Sequence, residues 1–227
     1  MPKGSALRCL ILLFMATLPG AVTAQAPPSP FAAIYPGRCE TPVSERTGDA
    51  GCYWLTTEPM DGLSEVVYWH LYTYPTLAVA QAARSRNGVA VQSLGKFWVF
   101  TIADQQWKPA NGERVAVIGP LHLERVTRYT ARYMESILPP EMRGGGGHSH
   151  SGPEAFYVLS GTRCLETPDG TTVTTAGASV IMHSGHPMAL NGVGAENRKA
   201  VFIVLHDSAQ PWITRGGTWT PPDRCSR

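Results

Sequence analysis

The second half of the chain is a series of short strand-forming runs separated by Gly and Pro, and this pattern constrains the fold more than any other feature. Six runs follow one another at short, regular spacing: "TRYTARYMESIL", "PEAFYVLSG", "TRCLETPDGTTVTTAG", "ASVIMHSG", "MALNGVG" and "KAVFIVLHD". No helical pattern interrupts them, and the Asp-Gly pair in the third run is a typical hairpin turn. Many short strands without helices predict a mainly β fold, with a sandwich or barrel over residues 123–207.

The region before this barrel, residues 39–122, mixes strand and helix patterns. "EVVYWHLYTYP" is rich in β-branched and aromatic residues and predicts a strand, whereas "PTLAVAQAARSRNG" predicts a helix with Thr76 as its N-cap. We therefore expect an N-terminal α+β layer that packs on the outside of the barrel. Residues 25–38 predict a leader without regular structure, and the Pro-rich residues 208–227 predict a tail along the surface.

Residues 1–24 have the pattern of a secretory signal peptide. Lys3 and Arg8 give a positive start, an apolar run too short to span a membrane follows, and "AVTA" ends in the small residues of a cleavage site. The sequence therefore predicts an exported protein, periplasmic or secreted. The mature chain would carry 17 basic and 17 acidic residues, a balance that predicts neither a nucleic-acid nor a membrane partner.

Four cysteines remain after the predicted cleavage, namely Cys39, Cys52, Cys164 and Cys225. An even number in an exported chain predicts two disulfides, whereas a four-cysteine zinc site would need paired short spacings that this chain lacks. Three connectivities are open. We favour Cys39 with Cys52, which are close in sequence, and this pairing leaves Cys164 with Cys225 to hold the C-terminal tail against the barrel.

The stretch "GGGGHSHSGPEAFYVLSG" carries the candidate chemistry. His148 and His150 share one face of a strand, because alternate side chains point the same way. The turn after them lets Glu154 begin the next strand toward the same point. Two imidazoles and one carboxylate form a facial set that holds Fe(II) with open positions, and the same set suits Mn, Zn or Ni.

This stretch resembles the first signature motif of the cupin superfamily, which reads His-x-His, three residues, Glu, six residues, Gly. His148, His150, Glu154 and Gly161 match it position by position. The resemblance spans roughly residues 125–207 and implies a double-stranded β-helix, or jelly-roll, barrel. The stretches "HSGPEAFYVLSG" and "LHDSAQPW" also resemble exported bacterial cupin-domain proteins, a group to which we attach no defined activity.

The second cupin motif is degenerate. Gly177, Gly185 and Asn191 fit it, but Met188 stands where the family has its fourth ligand, a histidine. Three interpretations stay open. His186 replaces that ligand two residues earlier; three ligands suffice and Met188 lines the pocket; or the Met188 thioether is itself a ligand, which would favour copper, an ion that fits the other donors less well.

The resemblance and the ligand set together predict a barrel that binds one divalent metal ion and a small organic ligand. The candidate pocket residues are Phe156, Val158, Met188 and Tyr133. A metal-dependent oxygenase or isomerase is one function of such a site. The alternative is a non-catalytic small-molecule-binding cupin with a structural metal or none, which the Met188 departure favours. The sequence leaves a homodimer open.

Overall fold

The computed structural model describes residues 1, 38–125, 128–140, 142 and 146–226. The predicted signal peptide and leader lie outside these residues, apart from Met1 and Arg38. No helix within the described ranges is long and apolar enough to cross a membrane.

Strands dominate the described part of the chain. Their bounds, with the one α-helix, are β1 Gly51–Met60, β2 Val66–Tyr74, α1 Leu77–Ala82, β3 Gly88–Ser93, β4 Lys96–Ala103, β5 Glu113–His122, β6 Tyr129–Leu138, β7 His148–Ser149, β8 Glu154–Ser160, β9 Thr162–Thr167, β10 Gly170–Thr175, β11 Ser179–Met182, β12 Ala189–Val193, β13 Arg198–Asp207 and β14 Thr214–Arg215. The predicted cap of α1 is present, since the Thr76 side chain accepts a hydrogen bond from the Val79 N–H.

The strands from β6 onward have the order of a jelly roll. One sheet runs β6-β13-β8-β11 and the other runs β12-β9-β10, all antiparallel. A bridge from His148 in β7 to Met188, just before β12, joins β7 to the second sheet. Counted from β6, the two sheets therefore read 1-8-3-6 and 2-7-4-5, the order of two interlocked Greek keys. The mainly β, cupin-type jelly-roll fold is confirmed.

The N-terminal region contributes to two sheets rather than one layer. β1 pairs with β6 and extends the first jelly-roll sheet, although the predicted division at residue 122 assigned this strand to the N-terminal region. By pairing there, β1 covers an edge of β6 that would otherwise be open. The strands β2 to β5 form a separate sheet in the order β3-β4-β2-β5, which we call the outer sheet.

Two main cores result from the alternation of side chains along β6, β8 and β13. The inter-sheet core lies between the outer sheet and the first jelly-roll sheet, and it contains Trp69, Trp98 and Tyr133. The inner core fills the barrel and contains Phe156 and Phe202 with other apolar side chains. Because β6 and β13 are covered on both faces, nearly all their side chains are buried.

Both disulfides have the pairing that the sequence favours. Cys39 is bonded to Cys52 with 4.5 Å between their Cα atoms, and Cys164 is bonded to Cys225 with 5.7 Å between theirs. The Cys225 N–H also donates a 3.0 Å hydrogen bond to Glu166 Oε1. The C-terminal segment is thus held on the outer face of β9, as a tail along the surface.

Candidate metal centre

His148, His150 and Glu154 converge at one end of the barrel. One ligand atom from each lies within 4.8 Å of the others, and all three side chains are buried. His148 belongs to β7, His150 follows it directly, and Glu154 is the first residue of β8. The structure therefore brings together the three residues that the sequence predicts as metal ligands.

A tight turn between the histidines and the glutamate makes this convergence possible. The backbone of the turn is fastened to β13: the Leu205 N–H donates to the Pro153 carbonyl at 2.9 Å, and the Asp207 N–H donates to the Ser151 carbonyl at 3.2 Å. Gly152 passes so close to Leu205 that an added Cβ would overlap the Leu205 carbonyl. Only glycine fits at this point of the turn.

Backbone carbonyls fix the orientation of both imidazoles. His148 Nδ1 lies 3.1 Å from the Gly146 carbonyl oxygen, and His150 Nδ1 lies 2.5 Å from the Trp212 carbonyl oxygen. A carbonyl only accepts, so the proton of each neutral ring belongs on Nδ1 and the lone pair on Nε2. Histidines that bind a metal through one ring nitrogen typically donate the N–H of the other ring nitrogen to a carbonyl in this way. The Trp212 ring also stacks on His150, with 5.6 Å between centroids.

The atoms that face the centre of the group lack partners. His150 Nε2 and Glu154 Oε2 are 3.5 Å apart, and neither takes part in a hydrogen bond among the described residues. Burial, reinforced by the neighbouring His150, lowers the pKa of His148 to about 4. Neutral His148 is the form that binds a metal ion. Orphaned buried donor atoms beside a neutral imidazole fit a divalent cation, and the N and O donors suit Fe, Mn, Zn or Ni.

The two candidates for a fourth ligand lie in different surroundings. His186 Nε2 lies 3.0 Å from Asp169 Oδ2, and His186 does not belong to the convergent group. The prediction that His186 is a fourth ligand is therefore wrong. Its partner is Asp169, which lies in the hairpin between β9 and β10. Met188 is buried in the inner core, directly opposite His148.

A narrow cleft, with an enclosed volume of about 30 Å³, opens beside the three ligands. Its wall includes Phe156, as predicted, but neither Val158 nor Met188, which are buried without lining it. Val158 lies two residues further along β8 than Phe156, so it sits deeper in the barrel. Leu190 and Phe202 supply the rest of the apolar wall below the ligands.

Tyr133 is a wrong prediction for the pocket. It faces the inter-sheet core, where its ring stacks on Phe100 with 5.6 Å between centroids. Its neighbour Met134 is the residue that points into the barrel. Glu135 shares the face of Tyr133 and binds Arg46 and the Ser93 hydroxyl rather than a ligand. Since β6 is buried on both faces, its sequence shows no alternation that reveals which side faces the cleft.

Both ends of the described chain contribute to the rim of the cleft, which sequence reasoning missed. Arg38 and Cys39 come from the N-terminal side, whereas Trp212, Ile213 and Arg215 come from the C-terminal tail. The tail is held there by β14, which pairs with β7. The one signal toward this role is the stretch "LHDSAQPW", which ends at Trp212.

Comparison with known proteins gives likenesses of fold only. No family model and no curated protein matches the chain. Among solved structures, a cupin-like protein from Thermotoga maritima is 15% identical, with 38% of this chain and 65% of that chain covered and a TM-score of 0.35. The match therefore spans less than two thirds of that protein.

Two further solved structures carry functional descriptions. The DMSP lyase DddQ from Ruegeria pomeroyi is 16% identical, with 38% of this chain and 45% of that chain covered and a TM-score of 0.33. A putative sugar phosphate isomerase from Acidithiobacillus ferrooxidans is 21% identical, with 33% and 48% covered and a TM-score of 0.28. At TM-scores this low, the likenesses carry no information on the activity of this chain.

Proposed function

We propose that this protein binds one divalent metal ion, Fe, Mn, Zn or Ni, through His148, His150 and Glu154. The observation that carries the proposal is the buried convergence of these side chains, with His150 Nε2 and Glu154 Oε2 unsatisfied at its centre. Buried polar atoms are rarely left without partners, because each costs roughly 1–3 kcal/mol. A cation supplies the missing partner for both atoms at once.

The cleft beside this group is the proposed site for a small organic ligand. Its enclosed volume is about 30 Å³, which is enough for a water-sized group, so a larger ligand would enter only if the side chains of the wall moved apart. The rings of Phe156 and Phe202 stack on each other with 4.7 Å between centroids and form an apolar wall that holds the organic part and excludes water. A bound ion with open positions would activate dioxygen or polarise a carbonyl or enediol as a Lewis acid.

A non-catalytic binding protein is the second candidate function, and Met188 is the observation that favours it. This side chain stands opposite His148 and belongs to the apolar inner core, so the group offers three ligands where the family motif has four. In such a protein the ion would be structural or absent, and the barrel would capture a ligand without converting it. The two candidate functions differ in whether the bound metal has coordination positions that exchange their ligands with solvent.

We also propose that the protein is exported. Two disulfides are compatible with an oxidising compartment, where such bonds persist. The signal-peptide pattern in residues 1–24 agrees with this location.

Cobalt substitution combined with azide tests the metal site and its open positions together. We expect the metal-free protein to take up one equivalent of Co(II), with visible absorption bands that shift when azide is added. His148→Ala should lose the bands. His186→Ala is the matched control, because His186 pairs with Asp169 outside the group, and it should keep them.

Each other result counts against a defined part of the proposal. No Co(II) uptake by the wild-type protein would overturn the metal site. Co(II) uptake with absorption bands that azide leaves unchanged would mean a coordination shell without exchangeable positions. That result would contradict the enzyme and support the non-catalytic binding protein.

A further inference from the structure

A buried arginine lies in the barrel beneath the candidate metal centre. Arg163 comes from β9 and shares the inner face of that strand with Leu165, a member of the inner core. Its side chain is 0% exposed to solvent. The guanidinium carbon lies 4.1 Å from the centroid of the Phe156 ring, and Phe156 also belongs to the wall of the cleft. The guanidinium is therefore one aromatic ring away from the ligand cleft.

Among the residues that the structure describes, no hydrogen-bond acceptor satisfies this guanidinium. Nε, Nη1 and Nη2 of Arg163 are all buried without a partner. Burial, together with repulsion from Arg198, lowers the pKa of Arg163 to about 9, so the group stays cationic at neutral pH. Glu154 attracts this charge but does not bond to it. A buried cation in this state lacks the anion that would normally accompany it.

Further positive charge surrounds the entrance of the cleft. Arg38 and Arg215 both line it, and Arg215 is 49% exposed and only loosely paired with Glu40, at 3.5 Å. An anion entering the cleft would meet these cations first, and it would reach the Arg163 guanidinium once the Phe156 ring turned aside. The charges thus favour a negatively charged ligand over a neutral one.

We propose that Arg163 binds a carboxylate group of the small-molecule ligand. The proposal rests on the proposed function in one respect, since it places another part of that ligand at the metal centre. The planar guanidinium fork matches the two oxygens of a carboxylate. A carboxylate also carries one negative charge, which balances a single guanidinium, whereas a phosphate monoester carries nearly two. The substrate class is therefore an organic acid.

Melting temperatures with matched acids and amides test this assignment without knowledge of the natural ligand. The probes are acetate, propionate and benzoate, each paired with its amide, and inorganic phosphate, with metal-free and metal-loaded protein. At least one carboxylate should raise the wild-type melting temperature by several degrees, and its amide should not. Arg163→Met should abolish the shift. Arg125→Met, which removes an arginine whose side chain is 90% exposed, should retain it.

The melting temperature of Arg163→Met without added ligand distinguishes a role of Arg163 in binding from a role in the stability of the fold. Replacing an unpaired buried charge by an apolar side chain of similar length should leave the melting temperature equal to or above that of the wild-type protein. A marked fall would mean that Arg163 supports the fold, and would overturn the proposal. Arg163→Lys is the second variant: it keeps the charge, and the carboxylate shift should shrink because the fork is lost.

Three other results would also overturn the carboxylate assignment. These are no carboxylate shift in the wild-type protein, a shift that survives in Arg163→Met, and a shift with phosphate alone. Failure of the metal site gives a different signature. In that case the metal-free protein still responds to carboxylates through Arg163, whereas Co(II) uptake is absent.

Discussion

His148 and Met188 face each other across a two-way backbone bridge. The His148 N–H donates to the Met188 carbonyl at 3.0 Å, and the Met188 N–H donates to the His148 carbonyl at 2.8 Å. Directly opposed residues of an antiparallel pair project their side chains from the same face. Met188 thus stands beside a proposed metal ligand, at the place where the cupin motif has its fourth histidine, and its side chain packs in the inner core instead.

Replacing Met188 by histidine should complete the ligand set. The new imidazole would project from the same face as His148, so we expect the affinity for Zn²⁺ or Mn²⁺ to rise by about tenfold or more. Competition with a metal-binding dye measures this change. Met188→Leu is the control: it conserves volume and should leave metal affinity unchanged at a cost below about 1.5 kcal/mol of stability. A loss of metal in Met188→Leu would show that the thioether is a ligand.

Trp212 should position His150 rather than bind the metal. Its carbonyl accepts from His150 Nδ1, and its ring contacts both His150 and the Arg132 guanidinium, whose carbon lies 4.7 Å from the ring centroid. Trp212→Ala removes the contacts with His150 and Arg132 and loosens this support. We expect metal affinity to fall by about 10- to 100-fold, as for other changes to groups that orient metal-binding histidines.

Trp107→Ala provides the comparison for this variant. Trp107 packs against His70 and Tyr72 on the outer sheet, away from the barrel interior. It should lower stability without changing metal affinity. An equal loss of metal affinity in Trp212→Ala and Trp107→Ala would contradict the positioning role of Trp212.

Tyr133 should contribute to stability and not to ligand binding. Its hydroxyl is buried without a hydrogen-bond partner among the described residues, and burial raises its pKa above the usual value. Tyr133→Phe should therefore change the free energy of unfolding by less than about 0.5 kcal/mol or increase it. Tyr133→Ala should cost about 3–5 kcal/mol because it leaves a cavity beside Phe100. Urea denaturation measures both, and a weaker metal site in Tyr133→Phe would contradict the assignment.

The disulfides should differ in their contribution because they close loops of different length. Cys39 and Cys52 are 13 residues apart, whereas Cys164 and Cys225 are 61 apart. Chain entropy gives about 3 kcal/mol for the shorter loop and about 4 kcal/mol for the longer. Denaturation of the two double Cys→Ser variants should rank them in this order. The reverse ranking would mean that packing around Cys39, rather than loop closure, dominates.

Local patterns explain what the sequence predicted well. His148, His150 and Glu154 lie within seven residues, so strand alternation and one turn suffice to bring them together. The Thr76 cap is equally local, because its partner is three residues away. The jelly-roll order required the family resemblance as well, since alternation identifies strands but not their partners.

The remaining features depend on contacts between distant segments. Arg215 reaches the cleft because β14 pairs with β7, and the paired residues are 65 positions apart for Ser149 and Thr214 and 67 apart for His148 and Arg215. Pairing over such a distance leaves no mark in either short segment, because each offers only two residues to the ladder.

Burial on both faces hides the direction of a side chain in the same way. β6 carries apolar or buried residues at nearly every position, so Tyr133 and Met134 look alike in sequence although they face different cores. Arg163 is hidden for another reason. A basic residue in a strand usually points to solvent, and only the strand order shows that this one points into the barrel.

The most direct test is the metal content of the mature protein, purified from its native compartment without chelator or affinity-tag metal and measured by elemental analysis. We predict close to one equivalent of iron, manganese, zinc or nickel in the wild-type protein and in His186→Ala, and a loss of this metal in His148→Ala. Wild-type protein that contains no metal, and takes none up on titration, would contradict the metal centre and leave the barrel as a metal-free binding protein.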